Sequence, residues 1–407
     1  MQDMALETKR FLAGSPLRRP ANAVIFALIF LFLLGVGAYN LIWPLYGGSV
    51  RMIQAFIVGT IIAAICSVPA IFVVWFLDRR QHDSPLLLMG AAMWGAIVSA
   101  SMSLVFNNSL YGFILSMAKQ SGGTVFGISA ETFASVFTSP LVEELVKGVA
   151  IFVLFWLLHT DFTDLRDGVL FGAMVGLGFN AGQYTIFLLD EYAASGTPPF
   201  LSLAALQFVF LGVNGHFIYS ALMGAGFGLA RQTHTPRMKW LAPLVGIGLA
   251  IFANMLANSL GTKVINEVVR ALTGQRLLFA STPTVIVWYA TALGTLASQF
   301  WAYILLGIGI FRNEKWEIET IRQELVDEVN TYVTPEEYVL IEEEVPFVGR
   351  TIPGYPSQVA HAIMHAQNEL AYRKWHVDKE GESVEDDELV KAWRARISQL
   401  RLETKEE

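Results

Sequence analysis

Eight apolar blocks, each about as long as a membrane-crossing helix, limit what this chain can become. They cover roughly residues 22–44, 53–77, 86–106, 141–158, 167–189, 203–230, 240–260 and 285–311. A helix needs about 20 apolar residues to cross hydrocarbon, where each backbone N–H and C=O must find its partner inside the segment. The expected fold is therefore all-α, a polytopic membrane helical bundle of about eight spans. Composition agrees, with 54% hydrophobic and 15% charged residues against about 25% charged in soluble domains. Residues 109–139 are semi-polar around Gly122-Gly123 and read either as a re-entrant or interfacial segment or as part of a ninth span.

Loop charge orients the blocks. Lys9, Arg10, Arg18 and Arg19 precede the first, Arg79 and Arg80 follow the second, and Arg166 follows the fourth. Arg231, Arg237 and Lys239 follow the sixth, and Arg312 and Lys315 the eighth. The opposite loops offer Arg51, Lys119, Lys263, Arg270 and Arg276. By the positive-inside tendency both termini are expected in the cytoplasm, with the first block a retained span and not a removable signal. Three parts follow: a cytosolic segment 1–20, a bundle 21–312 and an acidic cytosolic helical tail 313–407. In the tail, Thr334-Pro335-Glu336-Glu337 has the N-cap, proline and acids of a helix start. The net charge of −7 belongs to this tail and gives no reason to expect nucleic acid. The single cysteine, Cys66, excludes an intrachain disulfide and reads as a small buried apolar side chain.

Against this apolar background, Glu143, Glu144 and Lys147 stand at the head of the fourth block. A charge at mid-membrane costs about 2.5–3.5 kcal/mol on insertion scales, so such residues face a protein interior or a wet cavity. Lys147 is i+4 from Glu143 and i+3 from Glu144, close enough to neutralise one of them. The other carboxylate has no evident partner. With the topology above, Gln183 on the fifth block, Asn254 and Asn258 on the seventh and His216 on the sixth all approach the same outer half of the bilayer. Each has a bland reading as well: an ion cluster at a helix N-terminus, a satisfied histidine, amides gluing helices together. Intramembrane acids also mark ion pathways, although no inverted repeat supports a transporter. Gly168, Gly172 and Gly176, at four-residue spacing, and Gly224, Gly226 and Gly228 suit close helix packing.

Glu143-Glu144-Leu-Val-Lys147 resembles the EExxK signature of the PrsW family of intramembrane proteases, related to the CAAX prenyl protease and bacteriocin-processing superfamily. The likeness continues through Asp167 to Phe179, similar to that family's glycine-rich segment. It extends to His216-Phe-Ile-Tyr-Ser220 and to Asn254-Met-Leu-Ala-Asn258, which stands where the family has HxxxN. Two positions depart from the pattern: Gln183 replaces a glutamate and Asn254 a histidine. Both keep a hydrogen-bonding group and lose a titratable one. The resemblance implies an intramembrane endopeptidase of a bacterial plasma membrane, cutting membrane-anchored protein substrates near the outer face.

Zinc catalysis wants about three good ligands and an open position. With one glutamate tied to Lys147, the chemistry expected is metal-free. A glutamate acts as base on water, and Asn258, with Asn254 or Gln183, donates to the oxyanion. His216 orients the water or protonates the leaving amine. Zinc at Glu143, Glu144 and His216 is the alternative cofactor reading. A degenerate relative that binds transmembrane partners without cutting is the alternative function. A cytosolic partner for the tail stays open.

Overall fold

In a computed structural model that describes residues 2–80 and 84–403, the chain is almost wholly helical. It divides into two compact units. The larger holds residues 15–77 and 84–306, and the other gathers the described residues of 1–14, 78–83 and 307–407.

In chain order the helices are α1 (Gln2–Leu12), α2 (Pro20–Ile42), α3 (Val50–Leu77), α4 (Pro85–Met93) and α5 (Ala100–Gln120). After a two-stranded hairpin, β1 (Thr124–Val125) and β2 (Ile128–Ser129), come α6 (Ala130–Phe133), α7 (Ser139–Leu157) and α8 (Leu165–Ser195). Then follow α9 (Phe200–Gln207), α10 (His216–Gln232), α11 (Pro236–Leu256), α12 (Thr262–Thr273) and α13 (Thr284–Leu325). The chain closes with α14 (Pro335–Glu342), α15 (Ser357–Glu380) and α16 (Glu388–Glu403).

Among the described residues, five helical stretches are long and apolar enough to cross a membrane. They are Pro20–Leu45, Val50–Leu77, Pro85–Lys119, Pro236–Thr273 and Thr284–Glu328, with a bent pair over 200–232 as a sixth. The other two apolar blocks, α7 and α8, are helical but less apolar. α7 carries Glu143, Glu144 and Lys147, and α8 is diluted by its glycines, Asn180 and Gln183. α8 is buried on nearly every face from Leu165 to Thr185, so it is surrounded by protein, as α10 largely is too. An all-α polytopic bundle results.

Four boundaries differ from the sequence reading; one is the eighth, expected to end near 311, whose helix runs on to Leu325. The third span, expected to end near 106, runs through a π turn at Trp94–Ser99 and on to Gln120, so residues 109–120 of the semi-polar segment extend a helix. The seventh continues through a π turn at Ala257–Gly261 into α12. The sixth is broken: α9 and the segment that resumes at Phe210 meet at 58°. At the break Phe210 (φ 53°) and Leu211 (φ 63°) are consecutive left-handed residues, followed by Gly212 (φ 79°) and Gly215 (φ 56°). Each non-glycine there costs about 1–2 kcal/mol. His216 therefore opens α10, not the middle of a span. Cys66 is half-buried, with Ala63, Tyr184 and Phe208 in one apolar cluster.

Glycines set how closely α8 is packed. A Cβ on Gly168, Gly172 or Gly176 would lie 2.0–2.2 Å from the carbonyl oxygen of Gly224, Ser220 or His216 on α10. On another face of α8, a Cβ on Gly178 would lie 1.9 Å from Ala92 O, and one on Gly182 2.4 Å from Ala96 O. Only bare backbone fits at these crossings.

The second unit has its own core of Ile321, Leu325, Ile341, Ile363, Leu370, Val390, Trp393 and Ile397. Thr334 caps α14 in a reciprocal capping box with Glu337, with Pro335 in the first turn. Arg80 is buried there, its Nε 2.8 Å from Glu314 Oε1 and its Nη1 2.6 Å from Glu344 Oε1. Arg350 Nη1 reaches the other oxygen, Glu344 Oε2, at 2.7 Å.

Candidate active site

The site lies in the larger unit, where α7, α8, α10 and α11 meet. α7 continues without a break from a π turn (Ala134–Thr138), and Pro140, which has no N–H to give, stands just after that turn. Glu143, Glu144 and Lys147 are all buried, the last two completely. Lys147 Nζ donates to Glu144 Oε1 at 2.7 Å. From α11, Asn254 Nδ2 donates to Glu143 Oε2 at 3.0 Å and to Glu144 Oε1 at 2.8 Å, so a single amide ties the two carboxylates together. Glu143 Oε1 accepts from Ser139 Oγ at 2.8 Å and from Asn107 Nδ2 at 3.5 Å. Among the described residues, buried Glu144 Oε2 has no hydrogen-bond partner.

His216 completes the group from the head of α10. Its Nδ1 is 2.7 Å from Lys147 Nζ, and its Nε2 is 3.1 Å from Gln183 Oε1. With the ammonium donating, Nδ1 is the acceptor and Nε2 carries the proton, which it gives to the amide oxygen; this tautomer is assigned from the partners. Gln207 Nε2 also approaches Gln183 Oε1, at 3.4 Å. The imidazole stands edge-on to Phe179 and Tyr219, ring centroids 4.5 and 5.4 Å away. Lys147 Nζ lies 4.6 Å from the Phe179 ring centroid, a cation–π contact that helps hold a charge out of water.

Of the residues singled out in the sequence, Glu143, Glu144, Lys147, Gln183, His216 and Asn254 come together. Asn258 does not. Its Nδ2 donates to Ser135 O at 2.9 Å, and the residue is half-exposed. The π turn that starts at Ala257 adds a residue to the turn and rotates Asn258 off the face that Asn254 presents. The oxyanion role expected of Asn258 therefore has no geometric support. Sequence reasoning also missed Asn107, Ser139 and Gln207. Ser139 is one turn before Glu143, so helical spacing marks it. Asn107 lay just past the expected end of its span, and Gln207 sits on the far side of a break that composition does not reveal.

Ligand atoms of Glu143, Glu144 and His216 all lie within 4.8 Å of one another and can hold a metal ion. His216 Nε2 is 3.8 Å from Glu143 Oε2, and Nδ1 is 3.5 Å from Glu144 Oε1. Two carboxylates and an imidazole suit a three-ligand site with an open position. The bare Glu144 Oε2 is a buried anionic oxygen awaiting a donor or a cation. The donor set thus fits a divalent ion. Lys147 takes one oxygen of Glu144 and also His216 Nδ1, so the imidazole joins a metal shell only by giving up Lys147 from Nδ1 or the proton on Nε2. The three side chains converge all the same, where spacing on α7 alone gave one glutamate up to Lys147.

Residues 83–292, half of the chain, match the family described as PrsW family intramembrane metalloprotease. The chain belongs to the PrsW family. Among curated PrsW proteins it is similar to Protease PrsW of Halalkalibacterium halodurans, 29% identical over 143 residues, which is 35% of this chain and 57% of that protein. Protease PrsW of Geobacillus kaustophilus is 32% identical over 116 residues, 28% of this chain and 47% of that protein. The chain spans about half the length of these PrsW relatives. No solved structure matches it.

Proposed function

We propose that this chain is an intramembrane endopeptidase that cleaves membrane-anchored protein substrates near the outer face of a bacterial plasma membrane, both of its termini being cytoplasmic. The observation that carries the reading is the convergence of Glu143, Glu144 and His216, from two helices, within 4.8 Å inside a membrane-embedded bundle. Membership in a family of intramembrane metalloproteases supports it.

Two routes to an activated water share these side chains. In the metal-free route Glu143 is the base, because neutral donors alone (Ser139, Asn107 and Asn254) hold its carboxylate. It takes the proton of a water as that water attacks the scissile carbonyl carbon, and the proton passes on to the leaving amine. Lys147 keeps Glu144 anionic and, with the His216 Nε2–H, places positive potential where the oxyanion forms. In the other route Glu143, Glu144 and His216 would hold a divalent ion, which would supply acidification of a water and polarisation of the carbonyl. Asn254 and Gln183 then fix the orientation of the ligands.

Reconstituted protein with a single-span substrate, treated with a chelator, separates the routes. Cleavage lost and restored by zinc, with about one ion per chain that disappears in His216→Gln, selects the metal; unchanged cleavage selects Glu143 as base. A second reading, a binder that does not cut, draws on Gln183 and Asn254, which cannot shuttle protons. Membrane proteomes of parent and Glu143→Gln/Glu144→Gln cells decide between them. Single-span proteins accumulating uncut in the variant support the peptidase. Identical fragment patterns across growth and stress conditions refute it.

A further inference from the structure

The left-handed turn before His216 is held by the part of α13 that lies beyond residues 83–292. Gln299, 4% exposed, accepts from Gly215 N at 2.9 Å through its Oε1 and donates from Nε2 to Tyr219 Oη at 3.0 Å. One turn on, Tyr303 Oη donates to Val213 O at 2.6 Å. On the other side Asn180 Nδ2 donates to Asn214 O at 3.2 Å. Residues 213–215 are thus tied on both sides, immediately after Phe210, Leu211 and Gly212 with positive φ. A strained backbone persists only where its surroundings over-determine it. Gln299 grips both sides of His216: the amide of the residue before it, and the hydroxyl of the tyrosine whose ring stands 5.4 Å from the imidazole.

We infer that Gln299 and Tyr303 are positioning residues that set the place and ring orientation of His216 against Lys147 and Gln183. The kinetic consequence rests on the proposed peptidase; the geometric one does not. Gln299→Met removes both hydrogen bonds at similar volume. Gln299→Glu keeps an acceptor for Gly215 N and a second oxygen facing Tyr219 Oη, a hydroxyl that can donate as well as accept. Tyr303→Phe removes a single hydroxyl and serves as the milder variant should Gln299→Met fold poorly.

The test uses the full chain in detergent with isotopically labelled histidine. The ring-nitrogen signals of His216, one of seven histidines, are identified by their loss in His216→Gln. In Gln299→Met and Tyr303→Phe those signals are expected to shift or broaden while thermal unfolding stays cooperative, and Gln299→Glu is expected to restore them. In parallel, kcat should fall about 10- to 100-fold, as for a displacement of about 1 Å, with KM little changed. Ring signals identical to the parent in both Gln299→Met and Tyr303→Phe overturn the inference. Altered ring signals in a protein that cleaves nothing retain the positioning role and remove the peptidase.

Discussion

Replacing Gly176 by alanine tests whether glycine packing sets the active-site geometry. The added Cβ would lie 2.0 Å from His216 O, 2.6 Å from His216 C and 2.9 Å from Phe217 Cα, all backbone atoms that no rotamer change can move. Relieving the contact requires α8 and α10 to part by roughly 1 Å. His216 travels with α10, while Gln183 stays on α8. Their 3.1 Å contact then passes the roughly 3.5 Å limit of a useful hydrogen bond. Overpacking costs about 1–3 kcal/mol, and the helix preference of alanine over glycine returns about 1 kcal/mol. The net loss of stability is therefore about 0–2 kcal/mol. The misplaced imidazole costs more, about 100-fold in rate or about 2.7 kcal/mol.

The assay is cleavage of a single-span reporter in vesicles, with thermal unfolding of the same samples in detergent. Gly248→Ala on α11, where a Cβ meets nothing within 4 Å, is the control and should keep full activity. Gly176→Ala cleaving within threefold of the parent at matched stability would refute the argument that this crossing positions His216.

Glu144→Gln should destabilise the protein by about 3–5 kcal/mol in denaturant titrations, because it leaves the Lys147 ammonium buried without its counter-ion. Adding Lys147→Met should recover most of the stability and none of the cleavage. Asn254→Ala, which unties both carboxylates, should lower kcat about 10-fold or more, whereas Asn258→Ala should change it less than threefold. In the tail, partial burial pushes the Asp387 carboxyl up, but the Arg373 guanidinium and the Val390 and Leu389 amides outweigh it and hold it below its ordinary value. A depressed carboxyl stabilises the fold above its unfolded value of about 3.9 and loses that contribution as pH falls through the folded value. Protection factors in α16, taken relative to the slower intrinsic exchange at low pH, should therefore fall on acidification below about pH 4, and Asp387→Asn should start less protected and respond less to acid.

The apolar blocks determined by themselves that this chain is a helical membrane bundle, since hydrocarbon leaves a spanning backbone few alternatives. Spacing alone also marked Glu143, Glu144 and Lys147 as one face of one helix, and Gly168, Gly172 and Gly176 as a packing stripe. Tertiary structure decided the rest, because it depends on backbone geometry that periodicity does not encode. The π turn at Ala257–Gly261 separates Asn258 from Asn254, although four-residue spacing puts them on one face. The break at Phe208–Gly215 brings His216 to the head of a helix, where composition suggested an unbroken span. The role of Lys147 was likewise settled in three dimensions. From α7 alone it neutralises a glutamate; with α10 beside it, the same ammonium reaches His216 Nδ1, fixes the imidazole tautomer and leaves Glu144 Oε2 bare, because a small charge between two helices can serve both at once.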